Sequence, residues 1–192
     1  DFYENYLEFD VNVVSPIADN AFNYYKYQFE GSFFTENRQQ INKIKIIPRR
    51  ETEPVMSGYI YIVDDTYAVY AVDVNFTGKQ IQNPALNTLA LKQSFSYNSN
   101  SKIWAKNTQT LDFDAGMFGV NISGRFTYVF SNFTFPEKFE KKTFTAEVIR
   151  FEENANKKDD TFWNTIRPVP LTSEETTDYL KKDALQEKKK SK

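Results

Sequence analysis

The sequence contains no histidine and no cysteine. Without imidazoles or thiolates there is no Cys/His zinc site, no His-based triad, no Cys nucleophile, no disulfide and no thiol redox chemistry. Glycine and proline are scarce, at six and seven of 192 residues, too few for a flexible low-complexity chain. No stretch approaches the roughly 18 consecutive apolar residues of a membrane-spanning helix. A basic excess is missing too. The 24 Lys and Arg stand against 26 Asp and Glu, a net of -2, which gives no support to a nucleic-acid footprint. Neither GxGxxG nor GxxxxGK[ST] occurs, and Gly116, Gly119 and Gly124 read as bends or bulges among strand residues. The start at Asp1 has no Met and no basic-then-apolar leader, which reads as a processed or excised terminus.

Aromatics are what the chain has in excess: 18 Phe, 12 Tyr and 2 Trp, 17% of the residues. In short runs with β-branched neighbours they favour sheet, and the length suits one core-bearing domain with a short appendage. From Tyr6 to Val13 the residues alternate, putting Leu7, Phe9, Val11 and Val13 on one face of an expected strand. Ser15-Pro16 has the form of an N-cap and first turn, predicting a short helix to about residue 25. Strand patterns follow at Tyr25–Glu30, with Gly31 as a bulge before Phe33 and Phe34, then at Ile41–Ile47, Gly58–Val63 and Tyr67–Phe76. Asp64-Asp65-Thr66 predicts a hairpin turn between the last two, which should pair antiparallel. Leu91 to Tyr97, a segment from Ile103 through Phe113, Gly124–Phe135 and Thr143–Phe151 complete seven to nine expected strands.

The composition changes near residue 152. Residues 1–151 read as a β domain. Residues 152–192 read as a polar linker, an extended segment with Trp163 and Arg167-Pro168-Val169-Pro170-Leu171, and a helix. Thr172 with Glu175 three residues on is a capping-box pattern for that helix. From Lys181 onward, six lysines against Asp183 and Glu187 make the tail +4 and leave -6 for the rest. This end is either a solvated helix terminus favoured by the macrodipole or a contact for anionic headgroups.

Chemistry-bearing candidates are few. Asp64, Asp65, Asp73, Asp112 and Asp114 are the acidic groups of the sheet region, without a calcium-loop pattern, so turn and surface roles are expected and no metal. The aromatic excess has two readings, cross-strand packing or an apolar groove for a lipid or peptide. Trp163 and Arg167 have two as well: Trp163 with Leu171 as a plug at the sheet edge and Arg167 paired to a carboxylate such as Glu174 or Glu175, or, together with Asp178, a contact surface for another domain.

Several blocks resemble the region of unknown function DUF5686 found in large Bacteroidetes outer-membrane proteins. They are Asp1-Phe2-Tyr3-Glu4-Asn5, Ser15-Pro16-Ile17-Ala18, Ile41 through Arg50, Gly58 through Ile62 with Asp64-Asp65, Phe162-Trp163, Arg167 through Thr172, and Asp178-Tyr179. The resemblance implies the middle part of a three-part protein, between a carboxypeptidase-regulatory-like N-terminal β-domain and a C-terminal membrane β-barrel. The pattern is also similar to the LolA/LolB-like lipoprotein-carrier half-barrel: a curved antiparallel sheet with one short N-terminal helix against it and a C-terminal helical tail. Such a groove would be lined by Phe29, Tyr61, Tyr70, Phe95, Tyr128 and Phe130, and would take a lipid or another hydrophobic ligand. The expected function is a non-enzymatic periplasmic scaffold or interaction module at the outer membrane. Its expected partners are its own barrel and N-terminal β-domain, and no cofactor is expected. The alternative is a carrier of a hydrophobic ligand.

Overall fold

The computed structural model describes residues 2–117, 119–141, 143, 158–167 and 169–190. Two compact units form, Asp1–Phe135 and Pro136–Lys192. The first opens with a small hairpin, β1 (Tyr6–Glu8) and β2 (Asn12–Val14), then a single 3-10 turn at Ala21–Asn23. Seven strands follow: β3 (Tyr25–Phe34), β4 (Gln40–Pro48), β5 (Ser57–Val63), β6 (Val69–Thr77), β7 (Leu86–Asn98), β8 (Ile103–Met117) and β9 (Val120–Val129). Each pairs antiparallel with the one before it, so spatial order equals chain order. Turns fix this meander. Asn98 Oδ1, for example, accepts from the amides of Asn100 and Ser101 at 3.1 and 3.0 Å and closes the β7–β8 connection.

Alternation gives the sheet two unlike faces. One carries Tyr25, Ile46, Ile60, Val72, Val74, Phe76, Leu91 and Phe95 into a buried cluster. Across it lies the N-terminal segment, which buries Phe2, Leu7, Val13, Val14, Ala18 and Ala21 in the same cluster. Hydrogen bonds pin this cover. The fully buried Tyr25 hydroxyl donates to Val14 O at 2.6 Å and accepts from Met56 N at 3.2 Å, while Val14 N donates to Pro54 O at 3.0 Å. Val69 N donates to the Tyr3 hydroxyl at 2.9 Å, tying the cover to β6. The other face is more polar: Asp73 pairs with Lys92 at 3.2 Å, and Arg125 takes both carboxylate oxygens of Asp112.

The expected half-barrel is overturned. The seven strands form an open sheet that neither curls nor closes, with β3 and β9 at its edges. Closing a barrel needs pairing between the first and last strands. Here the apolar face is buried against the N-terminal segment instead. Two local expectations change for the same reason. The strand expected over Tyr6–Val13 folds back at Phe9-Asp10 into a hairpin that pairs Leu7 with Val13. The expected helix after Ser15 shrinks to the one 3-10 turn, because Ser15 is drawn into the core, where its hydroxyl donates to Phe2 O at 2.6 Å. A helix this short has no stability of its own to resist such contacts.

The Gly31 bulge is present, as a register shift between Phe29 and Gly31. The β9 ladder stops at Val129, short of the expected Phe135, and the Phe133 and Phe135 rings stack on each other at 5.9 Å outside it. The strand expected at Thr143–Phe151, Thr143 excepted, and the boundary expected at residue 152 lie outside the described residues. In the second unit, α1 (Asp160–Ile166) is capped by Asp159, whose carboxylate accepts from Phe162 N at 2.8 Å, and α2 (Ser173–Lys190) follows directly on Thr172, the expected capping residue.

Candidate functional site

The six residues expected to line one groove are dispersed. Phe29 is exposed on edge strand β3 and Phe95 is buried in the core cluster. Tyr61 lies with Lys43 on the opposite, polar face, where its ring and that of Tyr70 sit edge-on to Phe33 at 6.3 and 6.4 Å. Tyr128 and Phe130 stay together, on and just beyond β9. They belong to an uncovered part of the core-bearing face: Leu111 pairs with Phe126, Gln109 with Tyr128, and Ala115 with Ile122. Phe126 is 54% and Tyr128 45% exposed. Lys106 holds its ammonium 5.2 Å from the Phe130 ring centroid. This end of the sheet shows aromatic rings to solvent while its centre is sealed by the N-terminal segment.

The acidic residues do not converge. Asp64 accepts from Asn42 at 2.7 Å, Asp114 from Asn87 at 2.6 Å, Asp73 faces Lys92 and Asp112 faces Arg125. Among the described residues no three Asp or Glu side chains come together to hold a metal ion. Ser99-Asn100-Ser101-Lys102 has the spacing of Ser/Lys nucleophile motifs, but it forms the β7–β8 turn rather than the first turn of a helix.

The described residues of the first unit frame a cleft and a smaller pocket. The cleft, of about 1360 Å³, sits where β6 gives way to β7, lined by Phe76, Pro84 and Leu86 together with polar residues such as Thr77, Gln80 and Asn87. Many of its polar groups are engaged in building the loop. Gln80 Oε1 accepts from Thr77 N at 2.8 Å, Asn83 Oδ1 from Ala85 N at 3.1 Å, and Asn87 donates to Asp114. The second, about 410 Å³, opens between the N-terminal segment and strands β3–β5. Ile44, Ile60 and Ile62 form its sheet side, and Ile17, Ala21 and Phe22 the other. The Tyr27 hydroxyl in its wall donates to Pro16 O at 2.7 Å. Burial pushes the Tyr27 phenol up to about 12, against the opposing effect of the nearby Arg49 charge. Sequence reading missed this pocket. The alternations of β4 and β5 announced its floor, but nothing local said that residues 16–22 would lie over it.

In the second unit, Trp163 is partly exposed on α1, its ring edge-on to Phe162 at 5.4 Å. Arg167 ends α1, its backbone N–H donating to Trp163 O at 2.9 Å, and its guanidinium lies 5.9 Å from the Tyr179 ring. In place of the pairing expected between Arg167 and Glu174 or Glu175, the guanidinium lies against the Tyr179 ring. Glu175 is engaged in the capping box, where its carboxylate accepts from Thr172 N at 2.8 Å and its own N–H donates to Thr172 Oγ1 at 3.2 Å. Asp178 is exposed one residue before Tyr179. No helix among the described residues is long and apolar enough to cross a membrane, which leaves open a crossing by strands.

Comparison with known proteins finds one family: the profile of DUF5686, a family of unknown function, matches residues 1–133. No curated protein and no solved structure matches the chain.

Proposed function

The chain belongs to the DUF5686 family, and from that premise we propose that it is a non-enzymatic interaction module. It docks through the open end of its sheet onto another part of its own protein, a membrane β-barrel whose periplasmic face it serves. The observation that carries this reading is the continuation of the core face past its cover, with Ile122, Phe126 and Tyr128 exposed side by side on an edge strand. Contiguous exposed apolar surface marks interaction sites, and the outer edge of β9, which pairs with no other strand among the described residues, adds a row of backbone donors and acceptors that a partner strand can use. The N-terminal β-domain expected from the resemblance is a second candidate partner within the same protein.

The test is a photo-crosslinking residue in place of Phe126 in the full-length protein, irradiated in cells. Crosslinks to the barrel of the same protein are expected, and the same probe at Lys45, on the other face, should give none. Equal crosslinking from both positions, or none from Phe126, removes the docking reading. A second reading, a binder of a hydrophobic ligand, is favoured by a different observation, the apolar pocket beneath Ile17 and Phe22.

A further inference from the structure

We propose that this pocket binds a single-chain anionic amphiphile, with its hydrocarbon tail over Ile44, Ile60 and Ile62 and its acidic head on the Arg49 guanidinium. The proposal deepens the second reading above and rests on it.

The lining selects an apolar tail. Among the described residues that line it, the only side-chain polar atom is the Tyr27 hydroxyl, whose proton is already given to Pro16 O. A ligand polar along its length would lose water there without finding partners, whereas a hydrocarbon chain loses nothing. The volume of about 410 Å³ lies within the roughly 300–1,000 Å³ usual for small-molecule sites. The Phe22 ring stands edge-on to Tyr27 at 5.3 Å and is 74% exposed, an apolar wall that a tail in the pocket would cover.

The cation supplies the second half of the selection. Arg49 Nε donates to Phe22 O at 2.8 Å and to Tyr25 O at 3.1 Å. These bonds fix the guanidinium beside the pocket-lining Phe22. Its two terminal nitrogens have no partner among the described residues and face no acidic side chain in an ion pair. A planar guanidinium with both ends unused matches a carboxylate or a phosphate by paired charge-assisted hydrogen bonds. An apolar slot with an arginine tethered to the backbone of Phe22, one of its lining residues, therefore fits an amphiphile with one tail and one negative head.

Calorimetric titration of the full chain with dodecanoate, dodecyl phosphate, dodecanol and dodecyltrimethylammonium, each below its micellisation concentration, tests this. Saturable binding of the two anions is expected, at least about tenfold weaker binding of the alcohol, and none of the cation. The tighter of the two anions identifies the head as carboxylate or phosphate. Arg49→Gln should weaken dodecanoate about tenfold and leave dodecanol unchanged, and Arg49→Lys should lose less. Phe22→Ala, at an exposed ring, should weaken every ligand that binds. Each methylene removed from the tail should cost about fourfold. Phe126→Ser, at the distant open end of the sheet, should change nothing. Alcohol binding as tight as carboxylate, or an inert Arg49→Gln, overturns the headgroup assignment while leaving an apolar-ligand site standing. No binding by any of the four overturns both, and loss of binding in Phe126→Ser moves the ligand to the other surface.

Discussion

Tyr25 joins three segments at one atom. Its hydroxyl bonds Val14 of the cover and Met56 of the β4–β5 connection, from a side chain with no exposed surface. Tyr25→Phe leaves a buried amide and a carbonyl short of a partner, and should lower stability by about 1–3 kcal/mol, read as a shifted urea midpoint with unchanged slope. Burial raises the Tyr25 and Tyr27 phenols above their ordinary value of 10.0. The unfolded chain therefore releases these protons first as pH rises. Their contribution is intact below about pH 10 and is lost progressively from there through about pH 12 and beyond. Urea midpoints that hold to pH 10 and then fall, with Tyr27→Phe falling less, are the expected record. Gly58 is fixed by a different constraint. It has φ of +141°, and a Cβ there would sit 2.2 Å from Asp73 O on the neighbouring strand. Gly58→Ala must push β5 away from β6 and should destabilise by several kcal/mol, whereas Ala at Gly31, where nothing lies within 4 Å, meets only the backbone penalty of its φ of +120°.

At the level of elements, local sequence governs where the chain turns and caps. Thr172 and Glu175 close the reciprocal cap expected of them, and Thr172→Ala should remove about 1 kcal/mol from α2, visible as lost helical circular dichroism in the full chain. Pro48 ends β4 and Gly31 kinks β3 where expected. The elements that went otherwise were those whose local preference was weakest. Ser15 had a helix start available, but one turn of helix is worth less than a seat in the core. Residues Tyr6–Val13 kept their apolar side but not their straightness, since alternation records which side is buried and not whether the chain folds back. Arg167 is a similar case. Charge spacing suggested Glu174 or Glu175 as partners, but the cap had taken Glu175 and the Tyr179 ring received the guanidinium.

For the molecule as a whole, the cover is the decisive piece. Phe2, Leu7, Val13, Val14, Ala18 and Ala21 all enter the cluster built by the sheet. The larger of these side chains contribute roughly 1.5–3 kcal/mol each on burial, which together rivals the roughly 5–15 kcal/mol of a domain's net stability. Deletion of residues 1–24 should therefore abolish cooperative unfolding and raise binding of an apolar dye, and a deletion variant that still melts sharply would refute this role. The missing histidine and cysteine, the strand alternations, the turns and the C-terminal cap are local properties, and they marked most of the strands, the antiparallel β5–β6 hairpin and the excluded Cys and His chemistries. The open rather than half-barrel shape, the apolar pocket and the bare rings of β9 depend on where residues 2–24 come to rest. That position is set by long-range burial and by bonds such as Tyr25 to Val14 and Val69 to Tyr3. No periodicity along the chain records it, because a pattern of apolar residues states that a face must be covered and leaves unstated what will cover it and how far the cover will reach.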